Sequence, residues 1–99
     1  MEDESHKKRT EKMKVYVVIK TSVDSYSIKS IHKTYTGAFK AWDKVRIELL
    51  KRAKYFLNRE KYGKEMWQKI VKNLSCKDPE KIDNGPHDSP RILELDVKE

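Results

Sequence analysis

Four lysines at helical spacing, Lys40, Lys44, Lys51 and Lys54, are the residues of this chain best placed to act together. At ~100° per residue they project from one side of a helix, with Asn58 and Tyr55 beside them. Ammonium groups next to an accessible aromatic ring can clamp phosphates while a base stacks on the ring. They can equally dock on an acidic protein patch. Arg59 and Lys61 continue the positive region, and Lys64, Lys69 and Lys72 carry it into a second helical segment. A plainer account gives the lysines no partner: a solvated face on which Lys44, Glu48 and Arg52 form ordinary i,i+4 pairs. Arg46 stands apart, because its helical angle puts it on the apolar side between Trp42, Leu49 and Leu50. Either its stem packs and its guanidinium reaches the rim, or it pairs with an acid of the last strand or with a partner's carboxylate or phosphate.

Other chemistry finds little support. His6, His32 and His87 are far apart, and no Cys-x-x-Cys or His-x-x-x-His spacing suggests a metal site. There is no Gly-x-Ser-x-Gly turn and no phosphate-cradling glycine loop; the three glycines are Gly37, Gly63 and Gly85. Cys76 follows a predicted helix end, where the dipole disfavours a thiolate. Glu94 and Asp96 share a strand face and read as a solvated edge that discourages edge pairing. The expectation is a non-enzyme without a cofactor.

The charge is unevenly placed. Residues 33–72 hold twelve of the 23 Lys and Arg but four of the 16 acids, so this stretch carries +8 in a chain whose net charge is +7. A field concentrated in this way attracts phosphates or acidic surfaces. With 99 residues, 36% hydrophobic and 39% charged, one small domain is expected, with a core too small for high stability. A single cysteine precludes an intramolecular disulfide and suits a reducing compartment. No apolar run approaches the ~20 residues of a membrane span, and the first ten residues have no apolar core of a signal peptide. A cytoplasmic protein is the expectation.

The elements that must position these side chains follow from periodicity. Residues 1–12, with four acids and four bases, read as a flexible leader before a single domain over 13–99. Lys14 to Lys20 is β-branched and reads as a strand, with Val15, Val17 and Ile19 on one face and Tyr16 and Val18 on the other. After turn residues 21–25, Tyr26 to His32 reads as its hairpin partner, with Tyr26 and Ile28 turned inward. Thr36 is the expected N-cap of a helix whose stripe runs Ala38, Phe39, Trp42, Val45, Leu49, Ala53, Phe56 and Leu57, ending near Asn58. Beyond Gly63, Met66, Trp67, Ile70, Val71 and Leu74 predict a second helix; a single bent helix is the alternative. Trp67 is expected in the core, with an interface anchor as its other reading. Residues 75–90 form a polar connector, and Arg91 to Lys98 alternates as a half-buried strand with Leu93, Leu95 and Val97 on one face. The fold class predicted is α+β: a small three-stranded sheet, a hairpin plus a C-terminal strand, packed by one long and one shorter helix.

Met13-Lys-Val-Tyr-Val-Val, a second strand, and Thr36-Gly-Ala-Phe-Lys-Ala-Trp opening a helix resemble a kind of small protein encoded by phages and mobile elements, over residues 13–57. Such proteins place two short strands before a Thr- or Ser-capped helix. This chain departs from the pattern at Phe39, where an acidic residue would complete a capping box. The resemblance implies an inhibitor of host defence, of the anti-CRISPR type, that occludes a nucleic-acid site or a protein interface without catalysis. The functional expectation is a non-catalytic binding protein engaging an acidic host protein or nucleoprotein through Lys40, Lys44, Arg46, Lys51, Lys54, Tyr55, Arg59 and Lys61. Direct binding of DNA or RNA is the second expectation, and a small component working as a homodimer or larger oligomer is the third.

Overall fold

A computed structural model describes residues 13–97. The proposed leader over 1–12 and the last two residues lie outside that range. Five elements follow in order: β1 (Lys14–Thr21), β2 (Tyr26–His32), α1 (Tyr35–Arg59), α2 (Lys64–Leu74) and β3 (Ser89–Asp96). The strands form one antiparallel sheet in the order β2-β1-β3, with both helices on one side. This is the α+β architecture expected from the sequence.

The long helix starts two residues earlier than its pattern suggests. Thr34, in extended conformation, is the N-cap, and its hydroxyl accepts the Gly37 amide at 3.1 Å. Thr36 lies inside the first turn. A side chain at Gly37 would press on that cap, since an added Cβ would lie 3.2 Å from the Thr34 hydroxyl and 3.4 Å from the His32 ring. The helix ends where the Glu60 amide closes on the Phe56 carbonyl. Gly63, at φ 76°, then turns the chain in the left-handed region, so α1 and α2 are separate helices. They meet at Phe56 and Trp67, whose rings stack 5.0 Å apart. Trp67 thus belongs to the seam between the helices.

The core is built around Trp42, which is wholly buried. Ala38, Ala53, Ile70, Leu74, Val18 and Ile82 pack with it. The indole Nε1–H donates to the Pro90 carbonyl at 2.9 Å, tying α1 to β3. Pro90 lies within β3, which begins at Ser89, two residues before the predicted start at Arg91. An edge strand tolerates a residue that cannot donate to the ladder. Ile82 and Asn84 are the surprise of the connector, for both are buried. The Asn84 amide accepts from Asn73 at 3.2 Å and donates to the Asp88 carbonyl at 2.8 Å, which pins the connector against α2.

The helices cover the opposite side of the sheet from the one the alternation favours. Tyr16, Val18 and Ile92 pack against them. Val15, Val17 and Ile19 stand on the other side, register-matched to Leu95, Leu93, Ile31 and Ile28. Tyr26 and Ile28, expected inward, are exposed there, as are Leu93 and Leu95. A bulge brings Ile28 and Ile31 to the same face. The pairing passes from Val18–Ser30 to Ile19–Ile28, leaving Lys29 as the extra residue and reversing the parity of β2.

Candidate functional site

The lysine face is carried by the 25-residue helix α1, which rises about 37 Å at 1.5 Å per residue. Its inner side is held by Ala38, Trp42, Arg46 and Ala53. That anchoring fixes the outward direction of the remaining positions. Lys40, Lys44, Lys51 and Lys54 are all exposed along the outer side, spaced over about 21 Å. Tyr55 is exposed beside them, as the sequence predicts.

Ile47 joins this face, and the sequence reading missed it. Five residues beyond Trp42 it falls ~140° from the buried stripe, and it is exposed between Lys44 and Lys51. Its helical angle was a sufficient signal. The face therefore alternates ammonium groups with two apolar side chains, Ile47 and Tyr55.

Electrostatically the lysines of the stripe are unpaired. Among the described residues, Lys40, Lys44, Lys51 and Lys54 form no ion pair, and the i,i+4 pairs of Lys44, Glu48 and Arg52 are not made. The ion pairs described lie elsewhere: Lys14 with Glu94 at 2.7 Å, Lys20 with Asp88 at 3.8 Å, and Arg46 with Asp43 at 2.7 Å. The first turn of α1 holds no acid. Among the described residues, the charge of the stripe is not taken up in any close ion pair, and Glu48 is the one acid on the helix between Lys44 and Lys51.

Arg46 is placed differently from either sequence reading. Its side chain is buried, its Nε donates to the Asp43 carboxylate at 2.9 Å, and its Nη1 donates to the Leu74 carbonyl at 2.9 Å. The guanidinium also lies 5.8 Å from the Trp42 ring centroid. It reaches neither the rim nor the last strand. The i,i+3 spacing of Asp43 and Arg46 was the signal for this pairing. Arg46 therefore does not belong to the contact face; it joins the two helices beneath it.

Arg59 and Lys61 extend the face beyond the last turn, and both are exposed. The Arg59 guanidinium sits 5.1 Å over the Tyr55 ring, occupying one side of it. Lys64 turns back to the Leu57 carbonyl at 3.4 Å, where a cation suits the negative end of α1. Lys69 and Lys72 are exposed on α2.

One further concavity, of about 270 Å³, lies between the helices, the β1–β2 turn and the connector. Trp67, Ile70 and Leu74 line its apolar wall and Arg52, Asn84, His87 and Asp88 its polar one. Two of these polar groups are already engaged: Asp88 by Lys20, and the Asn84 amide by Asn73 and the Asp88 carbonyl. Among the described residues, no cluster of three or more His, Cys, Asp or Glu has the geometry to hold a metal ion, and no helix is long and apolar enough to cross a membrane.

A scan against protein-family models and searches of curated proteins and of solved structures found no match to this chain.

Proposed function

We propose that this protein is a non-catalytic binding module that docks the outer face of α1 on an acidic protein surface and acts by occupying it, as an inhibitor or accessory factor does. One observation carries the reading: four exposed lysines without ion-pair partners among the described residues, interleaved with exposed Ile47 and Tyr55. Unpaired ammonium groups steer an acidic partner and set its register. The apolar pair between them adds contact area that salt does not screen. The resemblance of residues 13–57 to small mobile-element proteins suits this reading, because such proteins work by occlusion.

Nucleic acid is the second reading, favoured by the same lysines. Tyr55 weighs against it, because Arg59 already covers one side of its ring and leaves less surface for stacking bases. The test captures partners from a nuclease-treated extract with the tagged full chain. In parallel the chain is titrated against poly-glutamate, duplex DNA and single-stranded RNA at low and high salt. The expected result is a protein partner that survives nuclease and is lost in the K40E/K44E/K51E/K54E variant, whose melting is unchanged. Binding of DNA or RNA alone, with affinity falling log-linearly in salt, replaces this reading with the second. Undiminished binding by the fourfold variant removes the face from both.

A further inference from the structure

The side of the sheet turned away from the helices is its more apolar side, and no helix among the described residues covers it; Val17 and Ile19 at its centre are buried, and the exposed surface belongs to the strands on either side of them. Val15, Val17, Ile19 and Thr21 of β1 run along its middle. Tyr26, Ile28 and Ile31 flank them on β2, and Leu93 and Leu95 on β3. Arg91, opposite Ile19, is the single charge that the register places on this face outside the bulge. In a chain with 39% charged residues, so charge-poor a surface is not an ordinary solvated sheet face.

We infer that this face binds a second copy of the same chain, sheet against sheet. Three observations select that occupant. The first is area. Tyr26 is 66% exposed, Ile28 59%, Ile31 62%, Leu93 42% and Leu95 48%, with Met13 at 45% and Val97 at 36% at the end of the sheet. At roughly 150–200 Å² for a fully exposed large side chain, these leave about 500–700 Å² of apolar surface in water. That is at or above the largest patch a monomer usually shows, about 300–600 Å². The half-buried Thr21 and Arg91 at the rim add to it, towards the ~800 Å² per partner of a stable interface.

The second is chemistry. An acidic partner of the kind proposed for α1 finds only Arg91 among the residues in register here, whereas an identical apolar face is complementary to this one. A two-fold axis midway between the two sheets and parallel to the central strand β1 sets the Ile28–Ile31 row of one copy over the Leu93–Leu95 row of the other, an isologous contact that closes at two subunits. Two such sheets pack about 10 Å apart with their strands within about 30°.

The third is that neither residues 1–12 nor the two helices offer an apolar cover. Residues 1–12 contain no aliphatic or aromatic side chain, and Met1 is their sole apolar one. The helices are already committed to the opposite side through Trp42 and Ala38.

The test is the mass of the full chain by light scattering and sedimentation, from about 1 µM to about 0.1 mM, the concentration range over which a dimer of moderate affinity assembles. The expected species is a dimer, twice the 11.8 kDa of the chain, that dissociates on dilution. The I28K/L95K variant is expected to be monomeric with an unchanged far-ultraviolet spectrum, since both side chains are exposed. Should that variant not fold, I28T keeps the β-branched backbone preference and is expected to raise the dimer dissociation constant by about tenfold. A wild-type chain that stays monomeric at about 0.1 mM overturns the inference. So does a dimer whose dissociation constant neither variant changes, because an edge-to-edge pair would behave in that way. The K40E/K44E/K51E/K54E variant keeps its dimer, so this result is independent of the fate of the lysine face.

Discussion

Arg46 of α1 donates through Nη1 to the main-chain oxygen of Leu74, the last residue of α2, at 2.9 Å. The end of a helix leaves its last carbonyls unpaired and carries partial negative charge. A guanidinium satisfies both needs at once. Asp43, one turn earlier on α1, neutralises and orients it. The angle between the helices is thereby set by a charge-assisted hydrogen bond as well as by the stacking of Phe56 on Trp67.

Replacing Arg46 by Ala should lower stability by about 3 kcal/mol, because it strips partners from Leu74 and Asp43 and opens space beside Trp42. Arg46→Lys should cost about 1–2 kcal/mol, since one ammonium cannot span both acceptors in the fork geometry. Urea unfolding followed by tryptophan fluorescence measures both. A loss under about 0.5 kcal/mol for the Ala variant would show that the contact is dispensable.

The two threonines at the start of α1 give a clean comparison. Thr34 accepts the Gly37 amide, so Thr34→Ala should cost about 1 kcal/mol. Thr36 lies within the first turn and is exposed. Thr36→Ala should be neutral within about 0.5 kcal/mol or slightly stabilising, given the helix preference of alanine. The reverse order in thermal melts would return the cap to Thr36.

Tyr35 makes an alkaline prediction. Tyr35 is 43% exposed, yet partial desolvation by its neighbours, and then the negative Glu80 and Asp78, hold its phenol above the ordinary value of 10.0. A group whose pKa is raised on folding binds more protons in the native state. The stability it contributes is complete below pH 10.0 and is lost as pH climbs through the folded value. Lys14 shifts the same way from 10.5, chiefly through its hydrogen bond to Glu94, then through that carboxylate's charge. Wild type should therefore lose stability relative to Tyr35→Phe as pH rises above 10.0. Denaturant midpoints of the two proteins at each pH give the answer; parallel curves would contradict it.

Gly63 turns the chain at φ 76° with open space around it. Gly63→Ala should cost about 1 kcal/mol from backbone conformation alone. Gly63→Asn should cost less than half of that, because asparagine tolerates the left-handed region. Equal losses for the two variants, measured by thermal unfolding, would mean that side-chain crowding sets the penalty.

Much of this fold is legible in the sequence because its periods are long and unmixed. The stripe from Ala38 to Leu57 and the one from Met66 to Leu74 each predict a helix, and Gly63 marks the break between them. The three strands follow from β-branched residues and alternation. Which side of the sheet meets the helices was not legible. β1 is apolar on both sides, so alternation cannot choose between Val17 and Val18. The bulge at Lys29 then shifts the parity of β2, and a single inserted residue leaves no mark in composition. Ile82 escaped notice because it stands alone between Lys81 and Asp83, in no period at all. Of the lysine face, the four lysines and Tyr55 were readable from helical angles. The partners of Arg46 were not, because Leu74 contributes a main-chain oxygen that no side-chain pattern announces.

The sheet lies between the two surfaces proposed for contact, with α1 against one side and Ile28, Ile31, Leu93 and Leu95 bare on the other. Pairing through the bare side would leave both lysine helices on the outside of a four-layer particle, pointing away from each other. Such a particle is a two-ended connector. It cannot set both helices on one flat acidic surface, so it gains no avidity there, whereas two separate surfaces can be bridged. Mixed with an acidic partner that has two sites, it should build chains that grow near equal stoichiometry and dissolve when either component is in excess.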